Sequence, residues 1–179
     1  MIFVDTPLHG AKVIELERIE DERGFFARSW CEREFAAHGL NPNLKQCNVS
    51  FNNYRGTLRG MHFQVAPYEE AKLVRCTMGV IYDVIIDLRN DSPTYLRHFG
   101  IELSAENRRM LYIPEGFAHG FQTLMENSEV LYQMSAFYQS GAASGVRWND
   151  PAFGIEWPAV DQRIISPRDA AYPDYHARA

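Results

Sequence analysis

The segment LRGMHFQVAPYEEAKLVR, residues 58–75, sets His62 and Lys72 ten positions apart in sequence with the texture of β-strands. A neutral imidazole titrates near working pH and makes a suitable general base. Three uses of His62 are open: metal ligand, base, or hydrogen-bonded core residue. Strand alternation sorts its neighbours. In AKLVRC, Lys72, Val74 and Cys76 fall on one face, with Leu73 and Arg75 on the other. An ammonium turned into a barrel interior has to meet an anion, a ligand or water. In EVLYQMSAFY, Val130, Tyr132, Met134 and Tyr138 share a face. The Tyr132 phenol therefore either faces a cavity or fills the core with its hydroxyl satisfied. Histidine, lysine and tyrosine around one cavity suit proton abstraction beside a carbonyl. The base takes a C–H proton, the cation holds the enolate oxygen, and the phenol returns a proton from the other side. General acid–base help is worth ~10²–10⁴ in rate, and a placed oxyanion donor adds roughly 10²–10³. Such chemistry requires no redox cofactor, and the chain has no GxGxxG or Walker loop to bind one.

The metal reading is tested by a second motif. PEGFAHGF, residues 114–121, contains Pro-x-Gly-x-x-His, the second motif of the cupin jelly roll, whose turn aims His119 into the barrel mouth. Metal cupins add an HxH and a later Glu, because divalent ions there want imidazoles and a carboxylate. Here that place reads HFQ. Gln64 shares a strand face with His62, but an amide oxygen is a poor third ligand. The next acids, Glu69 and Glu70, lie beyond a proline turn. A full shell would need His62, His119, Gln64 and one of those glutamates, so no metal and no cofactor are expected.

The elements that must position these groups are mostly short strands. QCNVSF, GTLRGMHFQ, AKLVRCTMG, VIYDVIIDL, YLRHFGIEL, RMLYIP, HGFQTLM and EVLYQMSAFY follow one another between residues 44 and 137, after an earlier strand AKVIELERI. Turn chemistry separates them at Asn53–Arg55, Asn90–Pro93 and Pro114–Gly116. One helix is predicted over SWCEREFAAHG, with Ser29 and Glu32 as a capping box and Gly39 as the left-handed stop. The tail from GVRWNDPAFGIEWP onward reads as irregular chain folded back over the barrel. The pattern predicts an all-β sandwich or barrel in one domain over residues 1–179, a length that buries a substantial core.

Bulk properties narrow the partners. Net charge is −5 with no basic tract, which argues against nucleic acid; a local arginine cluster can still oppose that sign for an anionic small molecule. No run approaches the ~18 apolar residues of a membrane span. MIFVDTPLHG lacks the basic and apolar regions of a signal peptide. Three cysteines, Cys31, Cys47 and Cys76, with no CxxC pair, fit a reducing cytoplasm.

Taken together, DERGFF, QCNVSFN, GTLRGMHFQ, KLVRC, VIYDVIIDLRNDSPTY, LYIPEGFAHGF, EVLYQMSAFY and WNDPAFGIEWP resemble the nucleotide-sugar epimerases typified by dTDP-4-dehydrorhamnose 3,5-epimerase, from about Asp5 to Asp169. The resemblance implies a metal-free cupin jelly roll, a homodimer whose N-terminal segment reaches into its partner's site, and a nucleoside-diphosphate 4-keto-6-deoxy sugar as substrate. It puts the catalytic base on His62, the proton donor on Tyr132, the base's carboxylate partner on Asp169 and the enolate-holding cation on Lys72. A carboxylate against an imidazole fixes its tautomer. Substrate contacts fall on Arg23 and Phe26 (lent by the other subunit), Gln46, Asn48, Arg59, His119, Tyr138 and Arg168. Guanidinium forks suit a diphosphate. Strict alternation sets Arg59 and His62 on opposite faces, so their joint use needs a bulge or bend at Gly60; otherwise Arg59 is a structural surface residue.

The chain also departs from the family. Arg28 stands where RGFF-x-E has its glutamate, Cys47 where Gln-Asp-Asn has its aspartate, and Ala143 near a lost nucleotide-contacting glutamate. Glu70 stands where a glutamine precedes the lysine, and Arg168 where a lysine precedes the dyad acid. The proton-transfer positions are intact and the periphery is altered, which leaves open the base of the nucleotide and whether C3, C5 or both are inverted. Two other readings stand beside the epimerase: a metal-dependent cupin oxygenase or isomerase, and a sugar-nucleotide binding protein without catalysis.

Overall fold

The computed structural model describes residues 1–176, so the last three positions of the expected 1–179 domain lie outside it. In chain order the elements are β1 (Ile2–Asp5), β2 (Lys12–Glu15), β3 (Ile19–Asp21), β4 (Gly24–Phe26), α1 (Glu32–Ala37), β5 (Gln46–Asn52), β6 (Thr57–Gln64), β7 (Lys72–Met78) and β8 (Val80–Asp87). They continue with β9 (His98–Ser104), β10 (Met110–Ile113), β11 (Phe117–Thr123), β12 (Ser128–Met134), β13 (Ala143–Gly145), β14 (Ile164–Ile165) and α2 (Pro167–Ala170). One six-stranded sheet has the order β1-β2-β10-β7-β12-β5. The other runs β13-β6-β11-β8-β9, with β14 joining β6 in parallel. Every other pairing is antiparallel, and from β5 to β12 the chain crosses to the other sheet at each step except β8–β9, which is the jelly-roll arrangement predicted.

Alternation builds three apolar layers. Val74 and Cys76 of β7 and Val130 of β12 meet Ile81 and Ile85 of β8 and Phe121 of β11 between the sheets. Leu73, on the opposite face of β7, packs with Ile14, Met110 and Tyr112 under α1, which contributes Phe35. The far face of the second sheet presents Met61, Val84, Ile86 and Ala118 to Val146 and Phe153 of the tail. Both faces of β8 are thus covered, which is why VIYDVIID reads as a nearly continuous apolar run.

Two local expectations need correction. The helix is shorter than its sequence signal, and its N-cap is Cys31 with no side-chain bond, so the Ser29–Glu32 capping box does not form. Ser29 lies two residues ahead of the cap, outside the position from which a hydroxyl serves the first turn. The stop is as expected: Gly39 takes φ +71°, Gly39 N–H donates to Ala36 O, and Leu40 N–H donates to Phe35 O. AKVIELERI does not form one strand but splits into β2 and β3, because residues 19–26 fold onto themselves as a hairpin. Its turn is held by Arg23 N–H on Asp21 Oδ1 at 2.8 Å. The tail is largely irregular and folds back over the second sheet, as expected, and within it β14 joins β6 and a turn of helix, α2, starts from a Ser166 cap and a proline.

Candidate active site

The cavity opens between the sheets at the end where β6, β7, β11 and β12 converge, and encloses about 590 Å³. Its wall depends on one irregularity in β6. Across from β11 the register runs His119 to His62 and then Phe121 to Arg59, so three steps on β6 face two on β11. The extra residue is Gly60. It adopts φ +135°, and a Cβ there would meet Gly120 Cα at 2.5 Å. Only glycine fits this position. The bulge turns Arg59 and His62 to the same side, and both line the cavity.

His62 is backed by a residue from the far end of the chain. Its Nε2 lies 2.8 Å from Asp169 Oδ1. Ser166 Oγ accepts the Asp169 backbone N–H at 3.1 Å, so the cap that starts α2 also sets the acid. Asp169 Oδ2 accepts the Gly60 N–H at 3.3 Å, which ties the acid to the bulge. Burial pushes the Asp169 carboxyl up, but the His62 contact and the Gly60 and Ser166 hydrogen bonds outweigh it and hold the group below the usual range. It therefore stands as a carboxylate and accepts from Nε2–H. In a neutral ring that leaves Nδ1 as the unprotonated nitrogen. The imidazole remains open to the cavity, with its side chain 42% exposed against 8% for the acid.

Lys72 faces inward as alternation requires. It is buried, 3.1 Å from Glu70 Oε1 and 3.5 Å from the His62 carbonyl, and it lines the cavity. Tyr132 rises from β12 against the interior core and also lines it. Burial pushes its hydroxyl well above the ordinary phenol range; the Asp83 charge adds to this, while Arg59 and a hydrogen bond with Ser50 oppose it. The phenol is thereby kept protonated.

Asn48, Arg59, His119, Tyr138 and Arg168 complete the expected wall. Arg59 Nε donates to Asn52 Oδ1 at 2.8 Å, and Arg168 lies beside the hydroxyls of Tyr172 and Tyr138. Two guanidinium groups and an ammonium thus gather in one cleft of a chain whose net charge is −5. Tyr138 lies beyond the end of β12, and its N–H donates to Gln46 Oε1 at 2.8 Å. Gln46 itself stands behind the wall, supporting Tyr138 instead of lining the cavity. Arg23 and Phe26 are not in this cavity either. They sit exposed on the β3–β4 hairpin, Phe26 at 72% and Arg23 against Asp21.

Gln64 lines the cavity, yet its amide is committed elsewhere. Its Nε2 donates to the Tyr68 and Phe137 carbonyls and its Oε1 accepts the Gln139 N–H. Among the described residues no three His, Cys, Asp or Glu side chains are grouped to hold a metal ion. Two residues at the site carry signals that the spacing argument passed over. Tyr172 stands edge-on to His62, with ring centres 6.0 Å apart. Asp83, at 0% exposure, lies 2.8 Å from His119 Nε2, and its signal was an acid on the core face of VIYDVIID.

Fold and cavity together define a jelly-roll isomerase equipped for acid–base chemistry. The family model described as dTDP-4-dehydrorhamnose 3,5-epimerase matches residues 5–177. The chain is 42% identical over 174 residues to the dTDP-4-dehydrorhamnose 3,5-epimerase of Salmonella typhimurium, covering 97% of this chain and 94% of that one. The crystal structure of the enzyme of that name from Elizabethkingia anophelis superposes with a TM-score of 0.95 at 40% identity, covering 98% and 96% of the two chains. The Bacillus anthracis structure, with TDP and PPi bound, gives 0.92 at 41% identity, covering 97% and 99%. The chain belongs to the dTDP-4-dehydrorhamnose 3,5-epimerase family.

Proposed function

We propose that this protein epimerises a dTDP-linked 4-keto-6-deoxyhexose at the carbons flanking the keto group, in deoxysugar biosynthesis of the rhamnose type. The observation that carries the reading is the 2.8 Å contact between His62 and Asp169, 107 residues apart, in a cavity that also holds Lys72 and Tyr132. The C4 carbonyl acidifies the hydrogens on C3 and C5. His62 Nδ1 removes one of them while Asp169 holds Nε2–H and steadies the imidazolium that forms. Lys72 holds the enolate oxygen at C4. Tyr132 delivers a proton to the opposite face, and the carbon is inverted. Arg59 and Arg168 bind the diphosphate as charged forks, with Asn48 and His119 contacting the ligand and Tyr138 packing beside the sugar. Gln46 serves through Tyr138.

The protein acts as a homodimer in the cytoplasm, with Arg23 and Phe26 of each β3–β4 hairpin reaching into the partner's cavity. Exposure of both side chains supports that reading. No helix among the described residues is long and apolar enough to cross a membrane. The ligand is a small sugar nucleotide and not a nucleic acid.

The test is NMR in D₂O with dTDP-, CDP- and GDP-linked 4-keto-6-deoxyhexoses. Deuterium enters C3, C5 or both of the dTDP sugar, with inverted product. Ring carbons left unlabelled in all three would mark a binding protein and end the epimerase reading.

A further inference from the structure

The cavity holds a second histidine–carboxylate pair, and to its acid the proposed chemistry assigns no task. His119 Nε2 lies 2.8 Å from Asp83 Oδ1, with side-chain exposures of 5% and 0%. Asp83 comes from the middle of β8, on the face that carries Ile81 and Ile85 into the interior core. Its other oxygen, Oδ2, is buried and meets no partner among the described residues. A buried carboxylate with one hydrogen bond is a poor device for stability, since apolar residues of like volume do as well or better. Its position suggests what else it does. The His119 ring stands edge-on to Tyr132, with centres 5.9 Å apart and planes at 73°. Phe121 flanks the same phenol at 6.4 Å. The Tyr132 ring thus crosses from its own sheet to lean on two residues of β11, and of these only His119 is fixed by a hydrogen bond to a charge.

We propose that Asp83 is a positioning residue for the epimerisation: it locks the His119 ring, and the locked ring aims the Tyr132 hydroxyl at the carbon to be reprotonated. This rests on the epimerase reading and adds to it a residue that touches no substrate. The carboxylate accepts Nε2–H, which settles the tautomer and plane of His119; Nδ1, with no protein partner among the described residues, is left to the cavity that the ring lines. After burial itself, the Asp83 charge is also the main influence that pushes the Tyr132 hydroxyl upward, so the same acid that orients the phenol helps keep its proton in place. His62 has its own carboxylate and does not depend on this pair.

The separation of the two pairs yields the test. Asp83→Asn keeps the volume and removes the charge. In D₂O with dTDP-4-keto-6-deoxyglucose, two rates are read: deuterium entry at the ring carbons and net inversion. Inversion falls roughly tenfold in Asp83→Asn, short of the ~10²–10⁴ attached to a proton-transfer group, while deuterium entry stays within about twofold. The loss is not additive with Tyr132→Phe, because both changes act on one step. Equal loss of entry and inversion, or losses that multiply in the double variant, would overturn the proposal. Should Asp83→Asn fail to fold, ¹⁵N spectra of wild-type imidazoles decide: His119 protonated at Nε2 and slow to exchange supports the lock, and a ring protonated at Nδ1 alone refutes it. Wild-type protein that exchanges nothing would sink the epimerase reading itself, an outcome distinct from either.

Discussion

The cavity wall and the β3–β4 hairpin make opposite use of the same kind of residue. In the wall, Arg59 is oriented by the Gly60 bulge and bonded to Asn52, and Lys72 is buried against Glu70. On the hairpin, Arg23 bonds to the adjacent turn at Asp21, and Phe26 lies open to solvent. Arg59, His62, Lys72 and Tyr132 come together within one chain because sheet register places them. The hairpin presents an aromatic open to solvent and an arginine held by its own turn. That difference separates the residues that folding of one chain gathers at the cavity from two that it leaves on the surface.

The comparison can be broken at its strongest point first. His62→Ala lowers deuterium entry at C3 and C5 by ~10²–10⁴, and undiminished exchange would remove His62 from the base role. An inactive mixture would be equally informative at the hairpin. Arg23→Ala/Phe26→Ala protein, itself impaired in kcat/KM, is refolded together with His62→Ala protein. If the hairpin crosses between subunits, mixed dimers hold one intact site and activity returns; if it serves its own chain, no site is intact and none returns. Tyr132→Phe comes next, slowing net inversion more than deuterium entry. Equal loss of both would contradict its place as the distal donor.

The smallest effect is on stability. The folded Asp169 carboxyl titrates below its ordinary value of about 3.9. The stabilisation that the carboxylate supplies is therefore complete above that pH and is lost as pH falls through the lower folded value. The urea midpoint of wild type should exceed that of Asp169→Asn at pH 6, and the gap should narrow in acid below about pH 4. A gap independent of pH would show that the Asp169 contribution is packing alone.

Much of the wall was legible because strand alternation is a local property. Lys72, Val74 and Cys76 on one face, and Leu73 on the other, follow from the pleat, and the structure keeps that division. The turn at Pro114–Gly116 likewise set His119 at the mouth, with Gly116 at φ +79°. Helix caps were read less well. Ser29 offered the pattern but lies outside the first turn, whereas Ser166, followed by proline, carried a real cap beside the dyad acid. Gly60 could be named as a place where alternation had to fail, yet the side to which Arg59 would turn depended on how β11 paired with it. Asp83 had a signal, an acid among interior-facing isoleucines, but its partner lies 36 residues away on a neighbouring strand.

By itself the sequence determined the strands, the faces of their side chains and the residue types able to move protons, because those properties depend on neighbours one to four positions away. Only the tertiary structure decided that Asp169 meets His62, that Gln64 is held by backbone groups and that a second acid stands behind His119. Each of these depends on sheet register and on where the tail returns, and such long-range pairings are settled by packing the whole chain at once.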